Sequence, residues 1–156
     1  MNGRVRCSID AAVRRRVPRA AQARVVRDVA RLVRFVGGAE ASVELVLCND
    51  AAMARLHAQH FGDAKPTDVL SFPAGPAMPG APEGDLGQIV VNVDAVARQA
   101  IGGWEAEVRS LCIHSVAHLV GHDHDVPTAA RAMLRAERRL GRHLGTAVRR
   151  PYGGRG

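Results

Sequence analysis

Ile113-His114-Ser115-Val116-Ala117-His118-Leu119-Val120-Gly121-His122-Asp123-His124-Asp125 holds four of the chain's seven histidines. Its spacing reads H-x-x-x-H-x-x-G-x-x-H over His114, His118, Gly121 and His124. Residues four apart on an α-helix stand one turn above each other on the same face, so His114 and His118 can aim at one metal ion. On an unbroken helix His124 would lie about 80° round from His114 and about 15 Å along the axis, out of reach of that ion. Gly121 removes the difficulty, because glycine is the preferred residue for the left-handed turn that ends a helix and lets the chain fold back. His122 is the competing third ligand. An unbroken helix would put it on the stripe of His114 and His118, but about 12 Å from His114 along the axis, too far for Zn–N bonds of about 2.0–2.1 Å. His124 is therefore the expected third ligand. A buried helix with incidental histidines explains one of them better than it explains this spacing.

Three histidines with a fourth position open describe a catalytic zinc site, since structural sites close all four positions with protein ligands. Zinc lowers the pKa of a bound water from 15.7 towards about 7, which suits hydrolysis of an ester, amide or phosphodiester. No catalytic side chain is assigned beyond the ligands. Asp123 and Asp125 flank His124, and either is placed to orient a ligand imidazole, although solvated turn carboxylates read the same way. The spacing also matches the metzincin proteases, H-E-x-x-H-x-x-G-x-x-H. Their general base is the glutamate after the first histidine. Here that position is Ser115, which argues against a protease.

Outward from this stretch, Trp104 to Val120 reads as the helix that carries the ligands. Trp104, Val108, Leu111, Cys112 and Leu119 give it a wide apolar face. A last helix is expected from Ala129 to Leu144, capped by Thr128, with Met133, Leu140 and Leu144 inward and Arg131, Arg135, Arg138 and Arg142 outward. Towards the N-terminus, Leu86 to Val93 is the most apolar strand and is placed centrally. Asp94 to Ile101 follows as a short helix. Val69 to Phe72 is a strand between two prolines, hence an edge, and residues 74–84 are a loop. Ser42 to Cys48 is a strand, with Asn49-Asp50 capping a helix from Ala51 to Gln59. Gly3 to Ile9 is a first strand. Pro18 to Val36 is a helix with Val25, Val29, Leu32, Val33 and Val36 at core spacing and Arg24, Arg27, Arg31 and Arg34 opposite. This order predicts an α+β, α/β-like domain over residues 1–147. It should have a small mixed four-stranded sheet packed with about five helices and a basic, disordered tail over 148–156.

The chain of 156 residues is long enough for one such core. Cys7, Cys48 and Cys112 are odd in number and widely spaced, so neither a disulfide framework nor a thiolate zinc site is expected. No segment reads as a signal peptide or a membrane span, which predicts a cytosolic protein. Net charge is +7 and the pI about 10.8. Every cation except Lys65 is arginine, whose planar fork suits phosphate. Arginine stripes are most often solvated faces, but this balance favours a polyanionic partner.

Three stretches together resemble one family. His114 to His124 resembles the H-G-x-L-H-L-x-G-Y-D-H motif of the YbeY-type bacterial endoribonucleases, the rRNA maturation factors. Lys65-Pro66-Thr67-Asp68-Val69-Leu70-Ser71-Phe72-Pro73 resembles that family's P-T-[ND]-V-L-S-F-P segment. Asp85-Leu86-Gly87-Gln88-Ile89-Val90 resembles its G-D-I-x-I strand, with Gln88 where aspartate is usual. The resemblance covers nearly the whole chain. It implies one Zn2+ per chain on His114, His118 and His124, no organic cofactor, and a groove between sheet and helices. It also implies single-strand endoribonuclease activity in maturation of the small-subunit rRNA 3′ end and in ribosome quality control, in the cytoplasm. An RNA-binding assembly factor with a structural zinc is the alternative, and a metalloprotease a distant third. Three departures stand out. Ser115 replaces a glycine, His122 a tyrosine, and Phe61 an arginine associated with phosphate. Ser71 is a candidate groove residue.

Overall fold

Strict alternation builds the sheet. In β2 (Ser42–Cys48) Val43, Leu45 and Leu47 point to one face and Val46 and Cys48 to the other. In β4 (Asp85–Asn92) Ile89 and Val91 share the first face and Val90 the second. A computed structural model of the chain describes residues 4–76, 79–80 and 83–148. With β1 (Arg4–Ile9) and β3 (Val69–Pro73) the strands run in the order β1-β2-β4-β3. β1, β2 and β4 are parallel, and β3 pairs antiparallel to β4 at the edge. The α+β class, the mixed four-stranded sheet, the edge position of β3 and the interior position of β4 are as expected. Gly3 and the tail residues 149–156 lie outside the described residues.

The first face carries the main core. α1 (Arg19–Gly37) lays Val25, Val29, Leu32 and Val33 on it. α4 (Trp104–Leu119) adds Val108, Leu111, Cys112, Ile113 and Val116, and α5 (Pro127–Leu144) adds Met133 and Leu140. Helix α2 (Asp50–Phe61) covers the second face, where Met53 packs on Cys48 and Val90 with Leu56, Leu70 and Phe72 around them. α3 (Val93–Gln99) follows β4 directly. Among the described residues no helix is long and apolar enough to cross a membrane.

Most element boundaries shift by a residue or two, two helix caps differ from expectation, and one short turn is new. α5 starts at Pro127, with Val126 rather than Thr128 at the cap and no side-chain cap bond. Proline, having no N–H to leave unsatisfied, suits that first position. α3 starts at Val93 and is capped by Asn92, whose Oδ1 accepts the Asp94 N–H at 3.0 Å. Between β1 and α1 a 3-10 turn, Arg14–Arg16, is held by Val13 and Val17 in the core. At Gly87, where φ is +121°, a Cβ would stand 2.0 Å from the Phe72 carbonyl oxygen, so the β3–β4 ladder closes only over a glycine.

Candidate metal centre and groove

α4 is the inner helix of the layer, packed on α1, α5, β3 and β4, and it ends where the histidine motif needs it to. The Gly121 N–H donates to the His118 carbonyl at 3.0 Å and the His122 N–H to the Ala117 carbonyl at 3.1 Å. Gly121 has φ +97°. This pair of bonds with a left-handed residue is the Schellman ending. It turns the chain back across the end of α4, and His124 returns to the helix. The His124 ring centroid lies 5.3 Å from that of His118 and 5.9 Å from that of His114, while His114 and His118 are 4.6 Å apart and perpendicular.

His114, His118 and His124 each offer a ligand atom within 4.8 Å of the others, a group able to hold a metal ion. The His122 side chain is not part of it. What His122 contributes is its backbone oxygen, 3.0 Å from His118 Nδ1. A carbonyl only accepts, so that nitrogen carries the hydrogen and His118 Nε2 keeps its lone pair. His114 behaves alike. Its Nδ1 lies 2.7 Å from Glu137 Oε1 on α5, so the tautomer that donates to this carboxylate turns the Nε2 lone pair towards His118. The two Nε2 atoms face each other at 3.1 Å. Two lone pairs at that distance repel unless a proton or a metal cation lies between them. Two nitrogens held tetrahedrally at about 2.0–2.1 Å from one ion sit about 3.3 Å apart, so the spacing fits a shared metal.

Glu137 is the site residue that reading the sequence missed. It is 1% exposed, and its Oε2 has no hydrogen-bond partner among the described residues. A buried carboxylate is costly unless a positive charge answers it. The His114 imidazole, with a cation on its far nitrogen, is placed to be that answer. Asp123, considered for this role, instead accepts the His124 backbone N–H at 2.7 Å. That bond is the main cause of its carboxyl lying below the usual range. Asp125 is exposed beside it. Burial first, then the imidazoles of His114 and His124, hold His118 below the usual histidine range. These effects favour its neutral form, the form a metal ligand needs.

The histidines lie at one side of a groove of about 880 Å3. Residues of the Pro66–Pro73 segment also line it, Ser71 among them as expected, together with Phe61, which is 60% exposed. Arg98 on α3 is the only arginine lining it among the described residues, and Asp68, Asp123 and Asp125 line it too. Its fork is held by Asp50, at 2.7 and 2.9 Å. Asn92, fully buried, donates to Asp50 Oδ1 at 2.7 Å and reaches the Pro66 and Thr67 carbonyls at 3.3 and 3.2 Å. The bonds from Arg98 and then Asn92 bring the Asp50 carboxyl down to about 2. The groove wall, α2 and α3 are thereby pinned to one another.

Comparison with known proteins agrees with this geometry. The family model described as Endoribonuclease YbeY matches residues 9–145. A relative from Chelativorans sp. (strain BNC1), called Endoribonuclease YbeY, is 36% identical over 128 residues, covering 79% of this chain and 77% of its own. One of the same name from Thermobifida fusca (strain YX) is 37% identical over 125 residues, covering 72% and 81%. The solution structure of TM1509 from Thermotoga maritima shares the fold, with a TM-score of 0.56 at 22% identity over 92% of this chain and 89% of that one.

Proposed function

The chain belongs to the YbeY endoribonuclease family, and from that premise we propose that it is a zinc-dependent, single-strand-specific endoribonuclease. Its substrate is small-subunit rRNA near the 3′ end, and its work is rRNA maturation and ribosome quality control in the cytoplasm. The hydrolase domain is assigned to residues 1–147, which the family match over 9–145 supports. The observation that carries the reading is the convergence of His114, His118 and His124, with the Nε2 atoms of the first two 3.1 Å apart and their Nδ1 atoms beside Glu137 Oε1 and the His122 carbonyl. His114, His118 and His124 would hold one zinc ion, which when bound supplies Lewis-acid polarisation of a phosphoryl oxygen and a lowered pKa for a water ligand. The test is cleavage of an unstructured oligoribonucleotide by the full chain. Chelation should abolish it and stoichiometric zinc restore it, with duplex RNA spared. Undiminished cleavage by metal-free protein would overturn the proposal.

The chain's own part is to bind and orient the strand. Ser115 is fully buried and acts as no base. Phe61 donates no hydrogen bond to phosphate. Arg98, forked and braced by Asp50 on the same groove, is assigned the phosphate contact in its place. Arg98→Ala should lower kcat/KM for RNA about tenfold, the scale of one charge-assisted hydrogen bond of ~1.4 kcal/mol. Phe61→Arg introduced into Arg98→Ala should recover most of the loss. Steady-state kinetics on a short substrate check both. An Arg98→Ala enzyme with unchanged kinetics removes this residue from the groove's phosphate contacts.

A further inference from the structure

Among the described residues, several exposed arginines outside the two long helices are answered by acids. Arg4 pairs with Glu40, Arg16 with Asp94 and Arg98 with Asp50. The outer face of α1 and α5 differs. Arg27, Arg31 and Arg34 stand there on α1, and Arg135, Arg139 and Arg142 on α5, all exposed. None of them has a salt bridge among the described residues. The two acids on these helices are already engaged, Asp28 with Arg109 at 3.0 Å and Glu137 with His114. The two rows form one surface. Arg31 donates to the His143 carbonyl at 2.9 Å, the Phe35 and His143 rings stack at 4.2 Å, and the Arg139 guanidinium lies 5.1 Å from the centre of Phe35. The aromatic pair thus fixes the seam between the helices and presents Arg139 from it.

This surface connects to the groove. A cleft of about 220 Å3 opens between the ends of α1 and α4 and the side of α5, lined by Phe35, Val36, Val120, Arg139 and Leu140. His122 lines both this cleft and the groove. The Schellman turn that returns His124 to the helix therefore also sets His122 at the junction between them.

We propose that the α1/α5 face is a second RNA-docking surface. The part of the strand flanking the bond held in the groove passes His122 and lays its phosphates on these arginines. The inference rests on the endoribonuclease reading for its substrate class, and on charge complementarity for its occupant. The groove itself is lined by three carboxylates as well as Arg98 and is poorly made to supply long-range attraction for a polyanion. The unanswered cations on α1 and α5 supply it instead.

The test is binding of labelled oligoribonucleotides to the full chain by fluorescence anisotropy over a salt series, with RNA integrity checked after each titration. The variant carries Arg34→Ser, Arg135→Ser and Arg142→Ser, all solvent-facing changes. For a strand of about 30 nucleotides, affinity should fall tenfold or more and the salt slope should flatten by about 2, since each single-strand phosphate contact contributes about 0.7. For a strand of about six nucleotides, short enough to fill only the groove, the loss should be under about twofold. Unchanged affinity and slope on the long strand overturn the surface. So does tighter binding of the wild type to phosphatidylcholine vesicles carrying about 30% phosphatidylserine than to the long RNA, because that points to a membrane as the occupant. Because the readout is binding, the two readings fail separately. Metal-independent cleavage removes the zinc site and leaves this surface standing, whereas wild-type binding by the variant does the reverse.

Discussion

His118→Ala should abolish metal binding and cost about a thousandfold in RNA cleavage while leaving the fold in place. The activity loss corresponds to ~4 kcal/mol of transition-state stabilisation, the scale of the several kcal/mol a metal ion supplies to a phosphoryl oxygen. The structural loss is small. His118 is half-buried at the last turn of α4, and its one backbone partner is the His122 carbonyl, at the groove, where water can replace the imidazole N–H. That exchange costs about 1 kcal/mol. The Schellman turn depends on the backbone bonds of Gly121 and His122 and not on the imidazole. Metal analysis, circular dichroism and a gel assay on one preparation separate the effects. A folded, metal-free variant that still cleaves RNA would refute the assignment. His122→Ala is the control, since its side chain stands outside the ligand group, and it should keep its metal.

The metal motif was legible in the sequence because it follows local rules. A spacing of four on a helix and a glycine at a turn suffice to bring His114, His118 and His124 together, and no distant contact is needed. The sheet was legible for the same reason, as alternation in β2 and β4 reports two covered faces. Residues acting across the chain were not. Glu137 sits at the position between Met133 and Leu140 on the inward stripe of α5, where a carboxylate is out of place. That misfit was the available signal, but its partner is 23 residues away on another helix, and no periodicity specifies it. Spacing makes His122 a rival ligand because it describes side chains, whereas its part in orienting His118 is played by its backbone. Arg98 looked like one more arginine until Asp50 and Asn92, 48 and 42 residues apart from their partners, fixed it against the groove. The stripes on α1 and α5 were readable as stripes. That they meet at Phe35 and His143 was not.

Glu137→Gln should weaken zinc binding by about 10- to 100-fold, the usual cost of removing the group that orients a ligand histidine, and its effect on stability should depend on the metal. Without zinc, the wild-type protein buries a carboxylate at 1% exposure with one oxygen unpartnered among the described residues. Glutamine keeps an acceptor for the His114 Nδ1–H and removes the charge. Replacing a buried charge by a neutral group of the same shape is often neutral or stabilising, so the metal-free variant should melt no lower than metal-free wild type. With zinc the order reverses. Binding contributes RT ln(1 + [L]/Kd) to the folded state, so a hundredfold weaker site loses up to about 2.7 kcal/mol of that contribution at the same free zinc. On the proposed zinc site, Glu137 would therefore stabilise the loaded protein and burden the empty one. Melting curves of both proteins across a zinc series test this directly. If the two proteins have equal zinc affinity, Glu137 is only a helix contact. If the empty variant melts several degrees lower, Glu137 stabilises the packing of α5 on α4 independently of any metal.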